Sequence, residues 1–292
     1  MTFVELLERT QSMDRRWIFL GMGLAIMIPM LIPVNLPMAV DRPVRDLYDR
    51  VEQLEAGDRV YLSLDLDPAS RPELEPFLRA VLRHLYAKDV KVVTGTLWAF
   101  APGMVIPILE EEAERYNKER DIDWCFMGFL DGKELAIKNI ASSFRQSYPK
   151  DYWQTPIDEI PVVDGINQVK DFDLMIAVSA GFPGTREWVL LVQAQYDLEI
   201  GSSTTAVSTP DYMPYYEADQ LFGLAGGMRG SAAYENLVGM ERMQIAGRAL
   251  ANYNVLGFGQ FFIIFAIIVG NLAMLLTGGF RSKEARPTGA RR

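Results

Sequence analysis

The sequence predicts an α/β fold, a Rossmann-like three-layer sandwich with a mostly parallel sheet, flanked by N- and C-terminal transmembrane helices. The first observation is that residues 17–40 and 249–280 are apolar and carry no charge. Each stretch exceeds the roughly 20 residues that a helix needs to cross about 30 Å of hydrocarbon. The second is that residues 41–248 are rich in charge and alternate strand-like with helix-like patterns. Together they predict an acidic soluble domain enclosed between two membrane spans.

The first apolar stretch is predicted to be an uncleaved anchor. Arg15 and Arg16 precede it, as basic residues precede a secretory signal. It is longer than the about 7–15 apolar residues of such a signal, and its end lacks a clear cleavage site. We therefore expect an integral membrane protein with the lipid bilayer as one partner.

The basic tail, residues 281–292, sets the predicted orientation. It carries five basic residues and one acidic residue, which the positive-inside rule places in the cytoplasm. Two spans return the chain to the same side, so residues 1–16 are predicted to be a cytoplasmic segment as well. The domain then faces outward from a cell inner membrane. Three arginines soon after the first stretch reduce this asymmetry: Arg42, Arg45 and Arg50.

The enclosed domain is strongly acidic. The chain has a net charge of -9, to which residues 1–16 contribute nothing and residues 281–292 contribute +4, so the domain carries -13. Such a surface repels nucleic-acid phosphates, and no nucleic acid is expected as a partner. Cys125 and His84 are the only residues of their kinds. This excludes an intramolecular disulfide, a thiolate zinc cluster and a multi-histidine metal site.

Alternating strand and helix patterns run along the domain. Residues 59–66 alternate as a strand does, and the next helix is predicted to begin with a capping-box pair, Ser70 and Glu73. Residues 148–164 interrupt the pattern as a long loop, a candidate lid. Alternation at this spacing predicts parallel strands with helices on both faces. The predicted elements are strand 59–66, helix 71–88, strand 90–96, helix 103–117, strand 124–129, helix 133–144, strand 174–179, helix 188–195 and strand 203–207.

Residues 215–250 are predicted to form a glycine-punctuated helix that leads into the second span. Gly223, Gly227 and Gly230 then lie on one face, at i, i+4 and i+7. Each glycine costs a helix interior about 1 kcal/mol relative to alanine, so the set requires a compensating close contact. One alternative is packing onto the same domain, or a locally broken helix. The other is an interface for self-association or for another membrane protein.

Two carboxylates follow the first predicted strand, where doubly wound sheets place their ligands. Asp65 and Asp67 stand in the run Leu-Ser-Leu-Asp-Leu-Asp. This run resembles the aspartate-x-aspartate opening of haloacid-dehalogenase-like phosphatases. The resemblance implies Asp65 as nucleophile, Asp67 as acid/base, Thr94 or Thr96 as a phosphate contact, and Mg²⁺ as cofactor. The alternative is that the two acids cap a turn and start a helix.

A second candidate site follows the strand at residues 174–179. Gly181, Gly184 and Thr185 mark a strand-to-helix turn, where backbone donors and a helix N-terminus are able to hold an anion. The alternative is a plain turn capped by Thr185. The cluster Tyr212, Tyr215 and Tyr216 is either a recognition surface, a membrane-interface belt or a packed loop.

The functional expectation is a membrane-anchored α/β binding or assembly module within a membrane complex, without a cofactor. It depends on the two anchors and on the lack of standard catalytic motifs, including GxGxxG, the phosphate-binding GxxxxGK[ST] and GxSxG. The alternative is a metal-dependent phosphohydrolase-like enzyme that uses Asp65 and Asp67 with Mg²⁺. The two expectations differ in whether these carboxylates are free to react.

Overall fold

The computed structural model describes residues 14–32, 39–239 and 248–276. The chain divides into two compact units. One is the domain, Pro37–Leu250. The other, which we call the apolar unit, combines Met1–Leu36 with Ala251–Arg292.

A parallel six-stranded sheet forms the centre of the domain. Its spatial order is β3-β2-β1-β4-β5-β6, and every neighbouring pair is parallel. The predicted α/β class is confirmed, with helices on both faces of the sheet. The strands are β1 (Arg59–Asp65), β2 (Lys91–Thr96), β3 (Trp124–Phe129), β4 (Leu174–Ser179), β5 (Ile200–Thr204) and β6 (Gly223–Gly226).

The helices alternate with these strands along the chain. A five-residue π-turn, Val189–Gln193, joins two of them, and three short 3₁₀ turns lie between residues 157 and 171. The helices are α1 (Arg15–Leu31), α2 (Arg42–Glu52), α3 (Arg71–Ala87), α4 (Pro102–Arg115), α5 (Glu134–Ser142), α6 (Phe144–Ser147), α7 (Thr185–Trp188), α8 (Ala194–Tyr196), α9 (Thr209–Glu217), α10 (Gly227–Val238) and α11 (Arg248–Leu276).

Two apolar cores cover the two faces of the sheet. Alternate side chains of each strand point to opposite faces, so Leu62 of β1 lies in the core with α2, α3, α4 and α10, while Tyr61 lies in the other. The second core contains α5, α6 and the residues around Trp188. Because all the strands are parallel, their carboxyl ends share one side of the sheet, which we call the carboxyl edge. The loops that can carry a site converge there.

Two local predictions are corrected. Ser70 makes no side-chain cap to α3, because its hydroxyl and amide bond to Asp67, and Glu73 accepts instead from the amide of Ala206 at 2.7 Å. The predicted loop 148–164 is not a free lid. Ile157, Ile160 and Val163 are at most 5 % exposed, so this segment covers the second core.

The prediction of a single glycine-punctuated helix is also wrong, because this segment contains a strand and a separate helix. Gly223 lies in β6, and Gly227 begins α10 with φ +58. A Cβ on Gly223 would lie 2.5 Å from the backbone of Leu47, and a Cβ on Gly230 would lie 2.7 Å from the backbone of Ala225. The three glycines therefore do not share a helix face. Two of them allow close contacts inside the domain, and Gly227 also supplies a backbone conformation that other residues rarely adopt.

The apolar unit contains one helix segment long and apolar enough to cross a membrane. Among the described residues this is Tyr253–Leu275, within α11. The first predicted span appears as α1, a helix of 17 residues, and residues 33–38 lie outside the described chain. The structure thus supports one membrane helix by length and composition.

Candidate functional site

In the sheet, β2 and β3 lie on one side of β1, and β4, β5 and β6 lie on the other. The direction in which successive strands are added therefore reverses between β1 and β4. The helix after β1 packs on one face of the sheet and the helix after β4 on the other, so the chain diverges at the carboxyl edge. In doubly wound sheets this divergence opens a crevice, which is the usual ligand site. Asp65 ends β1 and Ser179 ends β4, and the two residues are paired in register.

Asp65 is fully buried, and both of its carboxyl oxygens accept hydrogen bonds. The amide of Leu97 donates to Oδ1 at 2.7 Å, and Thr96 Oγ1 donates to the same atom at 3.3 Å. Ser63 Oγ donates to Oδ2 at 2.7 Å. Burial raises the pKa of Asp65 to about 7, although these three bonds partly oppose the shift. The carboxyl group thus fixes the loop after β2 against the end of β1.

The crevice itself is closed by two tryptophans. Trp98, after β2, donates from Nε1 to the carbonyl of Pro183, after β4, at 2.9 Å, so this bond passes over the end of β1. Trp188 donates from Nε1 to Ser63 Oγ at 3.1 Å and is itself fully buried. Asp65 has no exposed surface in this arrangement.

Asp67 caps a turn. Its Oδ1 accepts from the amide and from the hydroxyl of Ser70, each at 2.8 Å. The bond from the Ser70 amide is the main reason that the pKa of Asp67 is lowered. Thr96 contacts Asp65, whereas Thr94 Oγ1 donates to the carbonyl of Cys125 at 2.9 Å. Asp67 thus caps a turn, as the alternative interpretation expected of it, whereas Asp65 caps neither a turn nor a helix and instead joins the end of β1 to the loop after β2.

The predicted anion site around Gly181, Gly184 and Thr185 is similarly engaged. The amide of Gly184 donates to Oε2 of Glu187 at 2.9 Å, so a carboxylate of the chain already occupies this helix start. The hydroxyl of Thr185 lies 2.7 Å from the hydroxyl of Ser202, and the carbonyl of Gly181 accepts from Ser179 Oγ at 3.1 Å. Anion binding there stays a prediction.

An open cleft of about 580 Å³ lies beside this closed crevice, at the carboxyl ends of β4 and β5. Its walls combine aromatic rings, two prolines and side chains of both charges. The side chain of Arg186 is exposed, and Asp211 lies in the first turn of α9. The lining residues are Gly181, Phe182, Arg186, Glu187, Ser208, Pro210, Asp211, Tyr212, Pro214 and Tyr215.

Sequence reasoning found part of this cleft. Tyr212 and Tyr215 were expected to belong to a recognition surface, a membrane-interface belt or a packed loop. Both line the cleft, and Tyr212 is also packed in the second core, as the packed-loop alternative expected. Tyr216 does not line the cleft, since its hydroxyl donates to the carboxylate of Asp46. Arg186 and Asp211 were missed, and the signal that could have indicated them is their position in the first turn of the helix that follows each strand, α7 after β4 and α9 after β5.

Metal ligands do not cluster in the part of the chain that the structure describes, where no three histidine, cysteine or acidic side chains form a candidate metal site. His84 is buried, with Nε2 2.8 Å from Glu52 and Nδ1 2.9 Å from the hydroxyl of Tyr234, and Cys125 is a buried free thiol. No protein-family model matches the chain, and neither a curated protein nor a solved structure is significantly similar to it.

Proposed function

We propose that this chain is a membrane-anchored binding module whose ligand occupies the cleft at the carboxyl ends of β4 and β5. One observation carries the proposal. The usual crevice of the fold is closed by the Trp98–Pro183 bond, while the neighbouring cleft is open to solvent and lined by rings and by charges of both signs. Concave, partly apolar surfaces with a few convergent polar groups are typical of ligand sites.

The lining favours a small amphoteric ligand. The rings of Phe182 and Tyr215 offer apolar faces, the guanidinium of Arg186 offers an anion site, and the carboxylate of Asp211 offers a cation site. Glu187 contributes less, because the Gly184 amide already bonds to it. A ligand with an aromatic group and both charges matches this lining better than a phosphate dianion does.

Two spans are proposed to anchor the module, as the sequence predicts. The support is the packing inside the apolar unit, where α1 and α11 run antiparallel. A Cβ on Gly21 would lie 2.7 Å from the ring of Phe262, and a Cβ on Gly259 would lie 3.5 Å from Met22. Small residues at such crossings allow apolar helices to approach closely in lipid. This pairing is consistent with α1 and α11 entering the bilayer together.

The cleft is tested by calorimetric titration with phenylalanine, a soluble zwitterion with one aromatic ring. The full chain in lipid nanodiscs is expected to bind it saturably, and Arg186→Ala is expected to weaken binding about tenfold because a charged contact is lost. The matched control is Arg120→Ala, since Arg120 stacks on Trp153 and lies before β3, at the opposite edge. Equal loss in both variants, or no binding to the native chain, would contradict the cleft as a site.

The rival hydrolase is tested with phenyl phosphate and Mg²⁺. The binding proposal expects no release of phenol, because Asp65 is buried and both oxygens of its carboxyl group are engaged. Mg²⁺-dependent phenol release that disappears in Asp65→Asn would replace the binding proposal with the phosphohydrolase.

A further inference from the structure

Two exposed amide side chains lie within the apolar helix α11. The segment Tyr253–Leu275 has no charged residue and contains three side-chain amides. Asn254 is buried in the apolar unit, whereas Gln260 and Asn271 are exposed. An amide group that faces hydrocarbon lacks a hydrogen-bond partner, so polar side chains in membrane helices usually face protein. The two exposed amides therefore indicate a protein contact on this helix.

The depth of Gln260 supports this interpretation. Gln260 lies four residues before Ile264, the midpoint of Tyr253–Leu275, and thus about 6 Å from the middle of the span. Asn271 lies seven residues after the midpoint, or about 10 Å from it. Hydrocarbon extends about 15 Å on each side of the bilayer centre. In a centred span both amides lie within hydrocarbon, and Gln260 lies too deep for its side chain to reach the interface.

The two amides share a side of α11 that points away from α1. Gly259 and Phe262 are the residues of α11 that approach α1. At about 100° per residue, Gln260 and Asn271 lie within about 20° of each other around the helix axis. Their mean direction lies roughly 140° from that of Gly259 and Phe262. A contact with the amides must therefore come from a helix other than α1.

Exposed residues on this side follow the spacing of a helix pair. They are separated by four, three, four and three positions, and this mean of 3.5 keeps a seam in line between two helices that supercoil. The row extends about 21 Å along α11. We call it the amide seam, and its residues are Gln260, Ile264, Ile267, Asn271 and Met274.

We propose that two copies of this chain associate in the membrane through the amide seam of α11. This inference rests on the membrane anchor of the proposed function, but not on ligand binding in the cleft. Copies inserted in the same orientation have parallel α11 helices, and a two-fold axis along the membrane normal sets each seam residue beside its counterpart. A side-chain amide both donates and accepts hydrogen bonds, so Gln260 and Asn271 each pair with the same residue of the second copy.

The composition of the seam favours a second copy over a different protein. Both of its polar residues are complementary to themselves, and a polar residue at a seam position fixes the register of a helix pair. The apolar residues Ile264, Ile267 and Met274 then pack between and beyond the amide pairs. Within the same chain, α1 offers nothing to the amides, because residues 17–31 contain no amide or hydroxyl side chain.

Disulfide formation between introduced cysteines tests the seam. The full chain is reconstituted in phosphatidylcholine liposomes at a large lipid excess and oxidised with copper phenanthroline. Ile267→Cys lies in the seam, and Phe265→Cys is the matched control, since the two residues are 56 % and 64 % exposed and Phe265 lies roughly 140° from the seam. The native Cys125 does not compete, because it is buried and burial raises the pKa of its thiol.

The seam predicts that a disulfide-linked dimer forms about tenfold faster at position 267 than at position 265, since association holds the two seam cysteines together. Gln260→Leu with Asn271→Leu is expected to lower the rate at position 267 about tenfold, because two amide pairs are lost. These leucines keep α11 apolar, so the variant remains a membrane helix.

Three results would overturn the pairing. Equal rates at positions 267 and 265, in liposomes that retain the chain after carbonate washing, would exclude the seam and leave the anchor intact. An unchanged rate in the double leucine variant would exclude pairing through the amides. In native membranes, a cross-linked product at position 267 with a mass other than twice that of the chain would indicate a different partner. Release of the chain by carbonate would instead overturn the anchor, and the seam with it.

Discussion

Asp65 shows how the environment of one residue decides between two chemical roles. Its position at the end of β1 is where a nucleophilic carboxylate would stand, and the sequence supports that interpretation. The tertiary structure instead surrounds it with donors from Ser63, Thr96 and Leu97. A carboxyl group in this setting stabilises the junction of two loops, and its pKa is raised mainly because water is excluded.

The raised pKa of Asp65 makes a prediction about stability and pH. An acid whose pKa is about 7 when folded and 3.8 when unfolded binds more protons in the folded state between these values. The free energy of unfolding is therefore expected to fall as the pH rises from 4 to 7, and to level off above 7. Asparagine has nearly the same shape as aspartate and also forms hydrogen bonds, but it carries no charge. The denaturation curves of Asp65→Asn at pH 5 and pH 8 should therefore differ less than those of the native chain.

Asp67→Asn is the control for that pH experiment. The pKa of Asp67 is lowered, so Asp67 is ionised throughout the range from pH 5 to pH 8, and its replacement should leave the difference between the two curves unchanged. A native chain whose stability is the same at both pH values, or a pH dependence retained in Asp65→Asn, would contradict the raised pKa.

At the scale of elements, the glycines of this chain allow close approach in both units. In the domain, Gly223 lets β6 contact the backbone of Leu47 in α2. In the apolar unit, Gly21 lets α1 approach α11, since a Cβ there would lie 2.7 Å from the ring of Phe262. Helical spacing alone assigned Gly223 to the wrong kind of element, because a glycine signals close contact but not which element makes it.

The pairing of α1 with α11 is tested by substituting two glycines of α1. Gly21→Ile is expected to lower the thermal denaturation midpoint in detergent, since its side chain would overlap the ring of Phe262. Gly23→Ile is the matched control, because a Cβ there meets nothing within 4 Å. Equal effects of the two substitutions would show that α1 does not pack on α11 through Gly21.

At the scale of the whole molecule, the proposal depends on lipid around the apolar unit and water around the domain. Alkaline carbonate washing of membranes is expected to leave the intact chain in the pellet, because a helix long and apolar enough to cross the bilayer, such as Tyr253–Leu275, resists extraction. In right-side-out vesicles, added protease should digest the domain and spare a tag at the C-terminus, as the positive-inside rule predicts. Release by carbonate would contradict the anchor, and digestion of the tag alone would reverse the orientation.

The sequence by itself determined the fold class, four of the six strands to within about two residues and the apolar character of both ends. It could do so because strand alternation and apolar length are local properties of a chain. It missed β6, whose four residues Gly-Leu-Ala-Gly lack an alternating polar pattern.

Only the tertiary structure decided which residues form a site. Asp65 and Trp98 are far apart in sequence, and the loops after β1, β2 and β4 meet only because the parallel strands end at one edge. That meeting closes the crevice around Asp65 and leaves the cleft beside Arg186 open. Whether a side chain is buried and bonded or exposed and free depends on neighbours that the sequence does not place next to it.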